Sequence, residues 1–145
     1  MHDLPRKLTV EELADLFEGR TALVERLAER DDPLGSAREV ISGLTEEEKL
    51  EALNAHPAIG TRPRSARSAA EQGEDADPET LAELERLNRA YEGRFGFRFV
   101  VFVNRRPKSE IVPILRERLG RTRREELDST LEELVAIARD RRRRG

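Results

Sequence analysis

Residues 97 to 103, FRFVVFV, form the only run in the chain that is both β-branched and aromatic. A single strand with nothing to pair with cannot build a sheet. Every other apolar cluster recurs at helical spacing, so the sequence predicts an all-α fold with this run as a buried extended segment or the start of a helix.

The helical clusters follow in order. Leu8, Val10, Leu13, Leu16 and Phe17 repeat behind Thr9, an N-cap followed by acids. Ala22, Leu23, Leu27 and Ala28 mark a second helix that stops before Asp31-Asp32-Pro33, and Val40, Ile41 and Leu44 mark a third. Thr45 with Glu48 reads as a capping box for a helix carrying Leu50 and Leu53, and Pro57 forbids its continuation. Residues 60 to 80 have loop composition, punctuated by Gly60, Pro63, Gly73 and Pro78 around a short helical stretch, SARSAAEQ. Leu81, Leu84, Leu87, Tyr91 and Phe95 form the longest stripe. Ile111, Ile114, Leu115 and Leu119 predict a further helix, and Leu127, Leu131, Leu134, Val135 and Ala138 the last. The expectation is one compact domain over residues 1–145, built of about seven to eight helices.

Composition narrows the chemistry. A chain of 145 residues suffices for one core. Charged residues at 39% and aromatics at 4% confine the apolar material to helix faces. With no cysteine, disulfides, thiolate metal ligands and cysteine nucleophiles are excluded. The N-terminal residues carry charges throughout and lack the apolar core of a signal peptide, and no run reaches the about 18 apolar residues of a membrane span. A cytoplasmic protein with no membrane partner is expected. The net charge of −3 is interspersed, which argues against a nucleic-acid partner. The exception is the tail, RDRRRRG, which reads as a frayed helix end whose cations complement the dipole.

Several residues suit chemistry. His56 follows Asn54 at a helix C-terminus, where carbonyl dipoles favour imidazolium, so it fits either an acid–base group or a capping side chain. Ser68, Glu71 and Gln72, at i, i+3 and i+4, place a hydroxyl, a carboxylate and an amide on one helical face, either a site wall or a solvated surface. Asn88 falls in the apolar stripe and must be hydrogen-bonded there, with core bracing the simpler role. Arg94, Arg98, Arg105 and Arg106 surround the aromatic segment, and a guanidinium against apolar walls clamps carboxylates well. No metal site is expected, since His56 has no second histidine at a ligand spacing, and there is neither a Gly-rich phosphate loop nor a GxSxG turn. Histidine, carboxylate, hydroxyl, amide and arginine remain, a set suited to cofactor-free proton chemistry on an anionic molecule.

In sequence order, HPAIG, SAAEQ, LNRAYEGRFGFRFVVFVNRR and ILRERLGRTRREEL resemble the OHCU decarboxylase family. Its members act on 2-oxo-4-hydroxy-4-carboxy-5-ureidoimidazoline (OHCU) in urate breakdown. The match runs from about Leu50 to Ile137, with looser similarity through LTVEELADLF and DDPLGS. The resemblance implies an all-α, cofactor-free carboxy-lyase, typically homodimeric, that forms (S)-allantoin and CO2. It implies that His56 and Glu71 are the catalytic pair and that Pro57, Ser68, Gln72, Phe97 and Arg106 contact substrate, with Arg105 the alternative to Arg106. The sequence departs from the family pattern at Gly73, at Arg98 and in the short arginine-rich stretch between His56 and Ser68. The competing readings are a non-catalytic helical interaction module and a nucleic-acid binder acting through the arginine tail.

Overall fold

In the computed structural model, residues 7–56 and 77–144 are described. They form seven helices and, among the described residues, no strand. The helices are α1 (Val10–Phe17), α2 (Ala22–Leu27), α3 (Ala37–Ser42), α4 (Glu46–Ala55), α5 (Pro78–Phe95), α6 (Lys108–Leu119) and α7 (Arg123–Arg144). The expected stretch SARSAAEQ lies outside the described residues. The chain divides into two compact units, Met1–His56 with Leu131–Gly145, and Pro57–Thr130.

In the first unit, local chemistry starts α1 and α4 as expected, while Ser36 at the start of α3 makes no side-chain cap bond. Thr9 and Thr45 make full capping boxes with Glu12 and Glu48, and Thr21 caps α2 through the Val24 N–H. Leu13, Leu23, Val24, Leu27, Ala37 and Leu53 are buried where α2 packs against α1, α3 and α4. The end of α1 is unusual, because Glu18 adopts a left-handed conformation with φ 65° although it is not glycine. Arg141, from the last turns of α7, holds it there. Its guanidinium lies 3.0 Å from the Glu18 carboxylate and donates to the Leu16 carbonyl at 2.9 Å.

This corrects the reading of the tail as frayed. The helix continues to Arg144, and Arg141 is only 1% exposed. A buried arginine is stable only when paired and hydrogen-bonded, and here α1 supplies both partners.

In the second unit, Asp77 caps α5 through the Thr80 N–H, with Pro78 at the first helical position, and Gly96 ends it at φ 82°. Packing of α5 on α6 buries Leu84, Leu87, Ile111 and Leu115. Between these helices FRFVVFV runs with neither helical nor ladder hydrogen bonding, and Phe97, Phe99, Val100, Val101 and Val103 are all buried. Of the two conformations expected for it, the extended one is found. Asn104 and Arg105, both at positive φ, turn the chain into α6.

Candidate active site

His56 is the C-cap of α4. Preceding a proline, it takes extended dihedrals, φ −82° and ψ 137°, and its N–H bonds the Leu53 carbonyl at 3.2 Å. Its ring is half-buried, with Nδ1 shielded from solvent. Two contacts hold the helix that carries it: Glu51 accepts the Ala22 N–H at 2.8 Å, and Arg26 pairs with Glu48 at 2.9 Å. The turn after α1 also passes close to the residue before the histidine: a Cβ on Gly19 would stand 3.2 Å from Ala55 Cβ, so a larger side chain there must displace Ala55.

Phe97 and Arg106 lie at opposite ends of the extended segment in the second unit. Phe97 is 1% exposed, edge-on to Tyr91 at 5.9 Å between centroids and below the Arg123 guanidinium at 5.5 Å. Its ring is therefore core. Arg106 is half-buried and folds back on its own loop, donating from Nε to the Val103 carbonyl at 2.9 Å and from Nη2 to the Phe102 carbonyl at 2.6 Å. The remaining N–H groups of a guanidinium anchored in this way are oriented in advance. Arg105, by contrast, is exposed. Of the other arginines around the segment, Arg94 covers the Phe95 ring at 5.0 Å and donates to the Arg121 carbonyl at 3.0 Å, and Arg98 is half-buried.

Pro57, Ser68, Glu71 and Gln72 lie outside the described residues. Asn88 is buried in α5, as its place in the apolar stripe predicts. Among the described residues, no three His, Asp or Glu side chains are grouped to hold a metal ion. No helix among them is long and apolar enough to cross a membrane.

A charged cluster beside the segment escapes sequence reading. Glu126, fully buried at the start of α7, accepts the Tyr91 hydroxyl at 2.6 Å and Arg118 Nε at 2.7 Å on one oxygen. Arg121 Nη1 stands 3.0 Å from the other oxygen, an ion pair without hydrogen-bond alignment. Burial, and next the bond to Glu126, push the Tyr91 phenol well above its usual range, so it remains a donor. The signal in the sequence was slight. Arg118 continues the Ile111 and Leu115 stripe at i+7 and i+3, and Glu126 sits beside Leu127, so both are polar residues on apolar faces.

A solved structure of an OHCU decarboxylase in the presence of (S)-allantoin superposes on this chain with a TM-score of 0.74. It is 23% identical and covers 90% of this chain and 94% of its own. An (S)-allantoin synthase structure gives a TM-score of 0.69 at 21% identity, over 91% of this chain and 47% of its own. These likenesses establish the fold. The sequence model for OHCU decarboxylase matches residues 2–143. The chain belongs to the OHCU decarboxylase family. Relatives within reach of this family include the uric acid degradation bifunctional protein of Bacillus sp. (strain TB-90), 30% identical over 138 residues, which are 87% of this chain but only 27% of that protein. The 2-oxo-4-hydroxy-4-carboxy-5-ureidoimidazoline decarboxylase of Haloferax volcanii is 26% identical over 141 residues, 89% of this chain and 83% of that protein. As a family member the chain has the expected all-α fold, and FRFVVFV lies within residues 96–107, the longest non-helical stretch among the described residues.

Proposed function

We propose that this chain decarboxylates OHCU to (S)-allantoin and CO2 in urate breakdown, as a cofactor-free carboxy-lyase. The observation that carries this reading is the family match over residues 2–143. We assign the chain to one catalytic domain over residues 1–145, working in the cytoplasm as a homodimer.

The substrate's chemistry defines what the site must do. Its C4 carries both the hydroxyl and the carboxylate, and the ring double bond joins C5 to nitrogen. Breaking the bond from C4 to the carboxylate releases CO2; the electron pair forms a C4–C5 double bond, the former C5–nitrogen π pair moves onto that nitrogen, and the nitrogen takes up a proton, leaving an enol. One proton then leaves the hydroxyl and one arrives on C5, giving the ring carbonyl and a new stereocentre. Handedness depends on the face from which C5 is protonated.

His56 is the group for this exchange, with Glu71 orienting the ring and favouring its charged form. In support, His56 caps a helix tied to α2 through Glu48 and Glu51, with Gly19 close against Ala55, a setting that favours a directed proton transfer. Arg106 is the anion clamp. Its anchorage on two carbonyls favours it over the exposed Arg105. Ser68 and Gln72 add hydrogen bonds to ring and ureido oxygens, Pro57 contacts the substrate, and Phe97 contributes its main chain.

The test is circular dichroism of the allantoin formed when freshly generated OHCU meets the protein. A growing (S)-allantoin signal is expected. Racemic product at the uncatalysed rate would overturn the assignment.

A further inference from the structure

We infer that Arg118, held by Glu126, is a positioning residue for the substrate-lining segment, setting the main chain of FRFVVFV from behind. The inference rests on the reading that this segment borders the active site.

An extended segment without a ladder partner leaves its carbonyls to be satisfied by other groups. Side chains supply them here. Arg118 Nη1 donates to the Val100 carbonyl at 3.2 Å while its guanidinium lies 4.8 Å over the Phe99 ring, and Arg123 Nε donates to the Phe95 carbonyl at 2.8 Å. Arg106 does the same for Phe102 and Val103. Three arginines thus hold the main chain at both ends and at its centre, and the central one alone is buried.

Stability does not explain that central arginine. Replacing a buried ion pair with well-packed apolar residues is often neutral or stabilising. Arg118 Nη2 is also buried without a hydrogen-bond partner among the described residues, a cost that an apolar side chain would avoid. What an apolar residue cannot do is hold one carbonyl and one ring of the segment in a fixed place. Glu126 makes this possible by fixing Arg118 through Nε, and Tyr91 fixes Glu126 in turn. Tyr91 also meets the Phe97 and Phe99 rings, at 5.9 and 5.1 Å between centroids. The guanidinium thus meets the segment's main chain and the phenol's ring meets its aromatic rings, while the carboxylate ties the two together.

The experiment compares the full-length protein with the double variant Arg118→Met/Glu126→Gln, which removes both charges together and keeps an acceptor for Tyr91. Thermal melting and steady-state (S)-allantoin formation are both recorded. Melting is expected to stay near that of the parent while KM rises on the order of 10-fold or more, because the segment's main chain is no longer fixed. Unchanged KM and kcat in the folded double variant would overturn the inference. If that variant does not fold, Arg118→Lys carries the test, since it keeps the charge beside Glu126 but loses the fork that reaches Val100. A raised KM supports positioning, and an unchanged KM refutes it. Arg106→Ala separates this from failure of the underlying reading. If KM moves in Arg106→Ala but not in the Arg118 variants, only the positioning role fails; if it moves in neither, the segment does not border the site.

Discussion

Arg141 and Glu18 form a buried ion pair at 3.0 Å that joins the last turns of the longest helix to the left-handed residue ending the first. Removing the cation takes away the guanidinium 3.0 Å from the buried Glu18 carboxylate and the donor to the Leu16 carbonyl. Arg141→Ala should therefore destabilise the protein by about 3–5 kcal/mol, measured by urea unfolding. Arg143→Ala, at an exposed position two residues on, should change little. Equal effects from the two would refute the anchoring role of Arg141.

Acid should weaken the helix starts. Glu12, Glu48 and Glu125 accept backbone N–H bonds from Thr9, Thr45 and Thr122 at 3.0, 2.9 and 2.9 Å, and these bonds are the first cause holding their carboxyls below the ordinary 4.5. Asp77 is held below 3.8, first by the Thr80 N–H. With folded pKa values depressed, the unfolded chain takes up protons first as pH falls. The stability these groups contribute is complete above 4.5 and is lost as pH drops through their folded values. Melting scans across that range should show the decline, and Glu48→Gln should reduce its slope. An identical profile in Glu48→Gln would remove the capping box from the explanation.

His56→Ala should lose on the order of 10²-fold in rate with folding intact, since a positioned acid–base group contributes at least that much. A purified, folded variant that retains near-full kcat would mean that the histidine only caps α4.

Arg106→Ala should mainly raise KM, as expected of a group that binds ground state and transition state alike. Arg105→Ala should leave KM unchanged. The reverse pattern would move the anion clamp by one residue, to the side chain at φ 63°.

Gly19→Val should slow catalysis more than it destabilises the fold. A Cβ there already meets Ala55 Cβ at 3.2 Å, and a branched side chain must displace the end of α4 and the histidine it carries. Parent-like kcat with a lowered melting temperature would show that the displacement spares His56.

Helix starts were legible from sequence because they are local. Thr9 and Glu12, or Thr45 and Glu48, lie three residues apart, and their hydrogen bonds need no distant partner. The same holds for the extended backbone of His56, which the following proline imposes, and for the burial of FRFVVFV, which follows from hydrophobicity with no strand to join. The ordered motifs also sufficed to place the chain in its family.

Only the tertiary structure decided what the charges do. Nothing in RDRRRRG distinguishes Arg141 from its neighbours, yet it alone is buried, because Glu18 and the Leu16 carbonyl are more than a hundred residues away in sequence and adjacent in space. Arg118 and Glu126 drew no reading from the sequence, and folding sets Tyr91 and the Val100 carbonyl against them. Periodicity reports which face of a helix is apolar. Whether a charge on that face finds a partner depends on which distant groups the fold brings within hydrogen-bond reach, and that is a property of the packed chain alone.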